Sequence, residues 1–309
     1  MSGQVDDTRM LNETLFEYLS TPSQEKRALD AVTDFTRTKM REDGFYRNIL
    51  PAVQVSNDDL TRQVHTDKPC IVVDKEPDSP AAISLPFGSL PLQLYIRGPR
   101  YLVTFDRIMT PRFTKDVDEL RTYHMDIRQV LSDNSIKDML AEEDGKFISA
   151  VNAAMVGADT VVPQSGVVQW ETIPGGITRD TLQDSFKIMP RNPSRFEVNT
   201  CLTNNLTIRE IMKFGRDEMG GDYSQDVLKN GWSSDSFMNA KWVVTIKHEL
   251  VPEDTIFFFA DPRAIGKSYI LEDTSMYVHR EAFMLEFFSY ETIGGAIGNS
   301  SGLARADFV

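Results

Sequence analysis

Several segments of the sequence have residue types and spacings that occur in catalytic sites. Residues 298–302, Gly-Asn-Ser-Ser-Gly, match the Gly-x-Ser-x-Gly pattern, in which a sharp strand-to-helix turn exposes a nucleophilic serine. That chemistry also needs an acid and then a histidine downstream. Only seven residues follow Gly302, and none is a histidine. We therefore interpret this segment as a glycine-rich loop.

A phosphate-binding loop is the second candidate. Gly266-Lys267-Ser268 follows the apolar run 256–260, and such loops surround phosphate with backbone N–H groups. The first glycine of the motif would fall at position 261, where Asp261 repels phosphate, and Pro262 lacks an N–H. Residues 269–271 favour a strand over the helix that the motif requires. The segment predicts a turn between strands.

No metal or cofactor site is expected. The histidines are scattered and neither cysteine lies near one, so no ligand spacing is present; they are His65, His124, His248 and His279. His124 is predicted at the edge of a core. Glu142, Glu143 and Asp144 are adjacent, and adjacent helical residues point in different directions. We predict a solvated helix face there rather than an acid/base cluster, and sheet core for the phenylalanine runs 257–259 and 287–288.

Composition limits the remaining classes of function. The 309 residues are 41% hydrophobic and 26% charged, as in an average soluble protein. At about 150 residues per domain, two domains, or one with long excursions, are expected. The net charge of -13 argues against binding nucleic acid through its phosphates and against docking on anionic membranes. Cys70 and Cys201 are too few for a disulfide scaffold, so a reducing compartment is the simplest reading.

Neither a membrane span nor a secretory signal is expected. The strongest apolar run, 256–260, has five residues, far fewer than the roughly 18 of a spanning helix. The N-terminus is polar and acidic, without an apolar segment behind a basic start.

The elements fall in a distinctive order. Two helices with narrow apolar stripes are predicted up to residue 42, and such helices need a partner surface. Residues 76–111 contain six of the fifteen prolines, yet apolar residues alternate on both sides of Gly98-Pro99. This pattern predicts a long β-hairpin with edge strands that lies on another surface.

A long helix and a mixed region follow. The strongest helical pattern covers 114–155, with a kink or break at 132–135 and a weak point at Gly145. Strands and helices then alternate, which predicts an α+β fold. The strands are predicted at 70–73, 167–173, 241–247, 255–260, 276–279 and 283–290, and the short helices at 179–189 and 208–214.

This order resembles the major capsid proteins of tailed double-stranded DNA bacteriophages, which have the Hong Kong 97-type fold. Residues 107–120, RIMTPRFTKDVDEL, resemble the passage from the extended loop into the spine helix of that family. Residues 242–266, WVVTIKHELVPEDTIFFFADPRAIG, resemble the strand, turn, strand and glycine that close its axial domain. Residues 283–302 resemble the closing segment of its peripheral domain.

The resemblance covers nearly the whole chain and implies a division into five parts. These are an N-terminal arm, helical then extended (1–75), an extended loop forming a β-hairpin (76–112), a peripheral domain with the spine helix (113–175), an axial domain (176–272) and a return to the peripheral domain (273–309). Some family members cross-link covalently through a lysine of the extended loop. No lysine lies between Glu76 and Thr114, so that reaction is not expected here.

The resemblance also implies a function. The chain would self-assemble as hexamers and pentamers into the icosahedral head that encloses the DNA of a tailed phage, without catalysis and without a cofactor. It would be part of the virion, assembled in the host cytoplasm. Its partners would be other copies of itself, a separate scaffolding protein, a portal and a decoration protein. It would enclose DNA without sequence-specific binding, and its acidity would suit a lining that does not hold the genome.

Two sets of residues are expected to serve assembly, and two alternatives remain open. The predicted inter-subunit contacts of the extended loop are Leu92, Leu94, Ile96, Arg97, Arg100, Tyr101, Val103 and Phe105. The predicted bend of the spine helix lies at Asp133, Asn134 and Gly145. One alternative is an encapsulin-type nanocompartment shell with an interior groove for cargo. The other is a soluble α+β enzyme, which requires a pocket of converging titratable groups.

Overall fold

The computed structural model describes residues 44–64, 66–77, 82, 84–91, 93, 95–120, 127–161, 169–192, 194–214 and 236–309. The helices predicted up to residue 42 therefore lie outside the described residues, as do Leu92, Leu94, His65 and His124. None of the described helices has the length and apolarity needed to cross a bilayer.

The longest element is the helix predicted at 114–155, which we call the spine helix. Its predicted start is wrong, because residues 113–116 form a strand. It runs without interruption over Ile127–Val161, a length of about 50 Å at 1.5 Å per residue. The break predicted at 132–135 is therefore absent. Serine and asparagine cost a helix only a few tenths of a kcal/mol each, and the buried Ile136, Met139 and Leu140 hold the next turns against the core. A bend at Asp133, Asn134 or Gly145 stays a prediction.

A five-stranded sheet lies beside the spine helix. Its order is β1-β12-β13-β5, and β6 also pairs with β13. The strands are β1 (Ala52–Gln54), β5 (Asp106–Met109), β6 (Phe113–Asp116), β12 (Gly266–Glu281) and β13 (Met284–Ile297). Strands β12 and β13 form one antiparallel hairpin, with register shifts between Ile270 and Ser275. These irregularities interrupt the apolar alternation, which explains why the sequence predicted only parts of both strands.

A six-stranded mixed sheet forms the second layer, in the order β7-β14-β11-β8-β10-β9. Its strands are β7 (Trp170–Ile173), β8 (Thr200–Asn204), β9 (Ser236–Phe237), β10 (Ala240–Thr245), β11 (Thr255–Phe259) and β14 (Leu303–Phe308). Residues 257–259 are buried on β11, which confirms their prediction as sheet core. Strand β14, which the sequence did not predict, pairs with β11 and β7. It is thus separate from the sheet that holds most of 273–297.

The remaining helices are short. They are α1 (Phe45–Ile49), α2 (Val117–Leu120), α4 (Arg179–Phe186), α5 (Ile188–Arg191), α6 (Thr207–Met212) and α7 (Pro262–Ile265), with the spine helix as α3. Thr178 and Thr181 form a capping box at the start of α4, which satisfies backbone donors that a helix start leaves free. The predicted helices at 179–189 and 208–214 are confirmed with shifted ends.

A third sheet corrects the predicted hairpin. Its strands are β2 (Thr61–Arg62), β3 (Pro69–Asp74) and β4 (Arg100–Thr104). Strand β4 pairs with β3, with Ile71 opposite Val103, and not with the residues just before Gly98-Pro99. Residues 75–99 are instead the connection between the two strands, closed by a hydrogen bond from Lys75 N to Pro99 O of 2.8 Å. The prolines of this connection lack the backbone N–H that hydrogen bonding between strands requires.

The hydrophobic core connects α1, the spine helix and the six-stranded sheet. The ring of Tyr46 on α1 lies 4.8 Å from that of Phe147 on the spine helix, measured between centroids. Phe147 in turn stacks at 5.7 Å on Phe259 of β11. The short helix α1 is thereby fixed to the centre of the molecule.

Candidate functional site

The connection 75–99 exposes large apolar side chains. Phe87, Leu90 and Tyr95 have relative exposures of 110%, 89% and 90%. Leu85 and Ile96 are exposed as well. Its described residues form neither helix nor strand. Exposed large apolar side chains concentrated in one segment are typical of interaction surfaces.

The structure separates the predicted loop contacts into two groups. Ile96, Arg97 and Arg100 are exposed, and Arg100 pairs with Asp74 at 2.9 Å. Val103 and Phe105 are 0% and 4% exposed, because strand β4 turns Val103 inward and the chain covers Phe105. Both side chains are thus covered within the single subunit, and their role as inter-subunit contacts stays a prediction.

Tyr101 has a structural role. Its ring lies against Gly298, where an added Cβ would be 2.6 Å from a ring carbon. Residues 298–302 follow strand β13 and lead into strand β14 through a single 3-10 turn at Ser300–Gly302. The nucleophile motif needs a helix after the serine, so the loop interpretation is confirmed. Gly266-Lys267-Ser268 are the first residues of strand β12 and pair with β13, so the turn predicted for them is wrong. The connection from β11 is made just before them, by the short helix α7.

One face of the five-stranded sheet carries an aromatic and arginine ladder, formed by Tyr277, Phe288, Tyr290, Arg107 and Arg112. The rings of Tyr277 and Phe288 lie 4.9 Å apart and those of Phe288 and Tyr290 6.1 Å apart. Arg112 lies 5.4 Å above Phe288, and Arg107 5.6 Å above Tyr290. The intervening side chains point inward and are buried, since residues alternate across a sheet; they include Met276, Val278 and Phe287. Sheet core is thus confirmed for Phe287 but not for Phe288.

A buried polar cluster joins α1 to the spine helix. Arg47 donates to both oxygens of Glu143, from Nε at 3.0 Å and from Nη2 at 2.6 Å. Its Nη2 also donates to Glu291 Oε2 at 3.0 Å. Asp144 accepts from Tyr46 N at 3.0 Å and from Lys247 Nζ at 2.6 Å. We call these six residues, Tyr46, Arg47, Glu143, Asp144, Lys247 and Glu291, the arm joint.

The arm joint corrects the prediction of a solvated helix face. Glu143 and Asp144 are only 3% and 0% exposed, while Glu142 is exposed. The two buried acids do point in different directions, as expected, and each therefore reaches its own cation. The short helix α1 covers them, and it lies 98 residues away in sequence.

Burial dominates the electrostatics of this cluster. The pKa of Glu291 rises to about 9, chiefly because of burial and in part because of the adjacent Glu143, while Arg47 and Thr274 oppose the rise. Burial also raises the pKa of Asp144, although the hydrogen bonds from Lys247 and Tyr46 N oppose that shift. The pKa of Tyr46 rises to about 12, again mainly through burial; its hydroxyl donates to Ser268 Oγ at 2.7 Å.

A cleft of about 610 Å³ lies between the spine helix and the five-stranded sheet. Its apolar walls include Ile108, Phe147 and Ile293, and its charged residues are Asp106, Glu142, Glu143 and Lys146. Glu143 is engaged by Arg47, and Asp106 accepts from Lys68 at 3.3 Å. Within the described ranges, no three His, Cys, Asp or Glu side chains are arranged to hold a metal ion.

Comparison with solved structures identifies the fold. The chain is similar to a structure from Microbacterium phage Oxtober96, with a TM-score of 0.62 and 10% identity over 86% of this chain and 91% of that one. A structure of the bacteriophage PhiM1 mature capsid matches with a TM-score of 0.60 and 8% identity over 86% and 87%. A virus-like particle from Pyrococcus furiosus matches with a TM-score of 0.50 and 11% identity over 90% and 99%. No protein-family model and no curated protein sequence matches the chain. The chain has the Hong Kong 97-type α+β capsid fold.

Proposed function

We propose that this chain is the major capsid protein of a tailed double-stranded DNA phage. It assembles as hexamers and pentamers into an icosahedral head, carries out no catalysis and needs no cofactor. The observation that carries the proposal is the loop 75–99, which presents large apolar side chains away from its own core, on a chain with a capsid fold.

Burial of the loop on a second copy supplies the driving force. Each exposed Phe, Leu or Ile that becomes fully buried contributes roughly 1.5–3 kcal/mol. Association and ordering costs oppose this gain. The prolines at 86, 91 and 99 restrict the unbound loop and so reduce the entropy that docking removes.

The aromatic and arginine ladder is the surface on which we place the loop of a neighbouring copy. Tyr277, Phe288 and Tyr290 form a continuous row of rings that suits apolar side chains such as Phe87 and Leu90. Arg107 and Arg112 cover the edges of this row and have Glu272 and Glu286 within 4 Å. The contact is heterologous, because loop and ladder are different surfaces, and heterologous contacts form closed rings when the rotation closes.

The remaining partners follow from the same proposal. The head encloses DNA without reading its sequence, and the net charge of -13 disfavours adhesion of the genome to the protein wall. A separate scaffolding protein, a portal and a decoration protein complete the set, and the protein resides in the virion after assembly in the host cytoplasm. The five-part division of the chain belongs to this proposal.

Electron microscopy of the purified chain tests assembly directly. We expect closed shells, alone or with a scaffolding protein. Replacing 84–96 by a Gly/Ser linker keeps β4 and the Lys75–Pro99 bond, so the subunit should fold but form no shells. A double variant, Phe87→Ser with Leu90→Ser, should weaken assembly, while Val64→Ser, which removes an equally exposed apolar group outside the loop, should not. Normal shells from the linker variant would refute the loop assignment.

A nanocompartment shell is the second candidate. It is favoured by the match to the virus-like particle, of whose chain 99% is covered. Shells purified from the native source distinguish the two: DNA or scaffolding protein inside supports a phage head, whereas an enzyme cargo supports a nanocompartment. Small uniform oligomers without shells would instead support the soluble enzyme.

A further inference from the structure

Two buried carboxyl groups meet at one guanidinium in the arm joint. Nη2 of Arg47 lies 2.6 Å from Glu143 Oε1 and 3.0 Å from Glu291 Oε2. The side chains of all three residues are at least nine-tenths buried. One guanidinium balances one carboxylate, and the neighbouring Asp144 and Lys247 balance each other. With both glutamates ionised, the joint would hold an uncompensated buried charge, which is strongly unfavourable.

The geometry favours a proton on this pair of glutamates. Glu143 Oε1 and Glu291 Oε2 contact the same nitrogen, Arg47 Nη2, and two buried carboxyl groups held this close together repel each other strongly when both are ionised. In addition, Glu291 Oε1 is buried and has no hydrogen-bond partner among the described residues. An unpaired oxygen costs much less on a neutral acid than on a carboxylate. The unpaired oxygen therefore favours Glu291 as the protonated member.

The surroundings act on Glu291 in both directions. Thr274 donates to the same Oε2 of Glu291 that Arg47 contacts, at 3.1 Å, and this bond opposes the rise in the pKa of Glu291 that burial causes. Asp273 adds negative charge near Arg47, and Glu272 faces Arg107 instead. The elements packed around Glu291 carry several ionisable groups close to it in the fold. Among them are Tyr46 and Arg47 on α1, Glu142, Glu143, Asp144 and Lys146 on the spine helix, Glu272 and Asp273 on β12, Asp106 and Arg107 on β5, and Lys247 after β10.

We propose that Glu143 and Glu291 share one proton, and that this proton fastens α1 to the spine helix and β13. Loss of the proton in alkaline solution leaves two carboxylates on one arginine. The low-energy response is for α1 to move away, so that water reaches all three groups. The arm joint is therefore a pH-dependent contact, called the latch below, that holds α1 in place only while the shared proton is bound. The latch belongs to the single subunit, so it stands independently of the proposed function.

Infrared spectroscopy of the full chain in D2O detects the proton itself. A protonated carboxyl group has a C=O stretch separate from that of carboxylates. We expect this band at pH 7 and its loss by pH 10. It should be absent from Glu291→Gln and from Glu143→Gln, and present in Glu281→Gln, which makes the same change at an exposed position of the same sheet. Absence of the band from the unmodified chain at pH 7 would overturn the proposal.

Hydrogen exchange measures how firmly α1 is held against the spine helix and β13. Amide protection of 45–50, corrected for the intrinsic effect of pH on exchange, should fall by about tenfold between pH 7 and pH 10. Glu291→Gln mimics the protonated acid and should keep these amides protected throughout, whereas Glu281→Gln should behave as the unmodified chain. Protection that is equal at pH 7 and pH 10 in the unmodified chain would overturn the release step. Circular dichroism confirms that each variant is folded, and if Glu291→Gln does not fold, the comparison uses Glu143→Gln for the proton.

Discussion

The hydroxyl of Tyr46 lies against Gly295, in the space where any other residue would place its Cβ. Tyr46 belongs to α1, and Gly295 lies near the end of β13, where the strand passes α1. The same hydroxyl donates to Ser268 Oγ at 2.7 Å. The absence of a side chain at Gly295 therefore allows α1 to pack against β13.

Gly295→Ala should displace Tyr46 and destabilise the subunit. The added methyl forces the ring outward and breaks the bond to Ser268, with an expected loss of roughly 1–3 kcal/mol. Chemical denaturation measures the loss. Gly98→Ala is the matched control, because an added Cβ there meets nothing within 4 Å. Equal stability of the two variants would show that α1 is not held at this position.

Val103→Ala tests the corrected pairing of β4 with β3. Val103 is fully buried opposite Ile71, so truncation should cost roughly 2 kcal/mol. The adjacent Leu102 points to the other side and is 48% exposed, so Leu102→Ala should change stability by about 0.5 kcal/mol or less. The hairpin predicted from sequence around Gly98-Pro99 would not distinguish these two neighbours in this way. Denaturation midpoints of both variants decide the matter.

The difference between prediction and structure at β4 has a physical origin. Alternation identified 101–105 as a strand, because that signal is local to the segment. The predicted partner of this strand was wrong. The actual partner, β3, lies some thirty residues earlier in the sequence, and the prolines just before Gly98 disfavour a strand there. Strand β14, Leu-Ala-Arg-Ala-Asp-Phe, has small residues and one acid in its pattern. Its pairing with β11 and β7 stabilises it as a strand, although its own residues have no clear strand pattern.

The arm joint is a second case in which contacts between segments far apart in sequence could not be predicted. The spacing of Glu143 and Asp144 on a helix was correctly interpreted, but their burial depends on α1, far away in sequence. Arg47 and Lys247 carry no local sign that they point inward. By contrast, the sequence alone revealed three elements: the proline-rich apolar loop, the long helix and the phenylalanine-rich strand β11. The residue pattern of each lies within one continuous segment.

Gly145→Ala tests the predicted flexibility of the spine helix. An added Cβ at Gly145 would lie 3.6 Å from Leu250 Cδ2, an ordinary contact. Alanine should therefore stabilise the helix by up to about 1 kcal/mol. If the helix bends at Gly145 during assembly, this variant should form fewer closed shells in electron micrographs, despite its higher melting temperature. Ala141→Gly, one turn earlier at an exposed site, should lower the melting temperature without changing closure. Normal closure by Gly145→Ala would exclude a bend at this residue.

Glu291→Gln should remove part of the pH dependence of stability. The pKa of Glu291 is raised from 4.5 to about 9 in the folded chain, so the folded state binds more protons than the unfolded state between these values. The stability linked to this group is complete below about pH 4.5 and is lost as pH rises towards 9, with a slope of at most about 1.4 kcal/mol per pH unit. The unmodified chain should therefore lose stability from pH 6 to pH 8 more steeply than Glu291→Gln, whose amide does not titrate. Free energies of unfolding measured by denaturant at pH 6, 7 and 8 give both slopes, and Glu281→Gln should retain the slope of the unmodified chain. Identical slopes for the unmodified chain and Glu291→Gln would mean that Glu291 is ionised in the folded subunit, with its charge balanced within the arm joint.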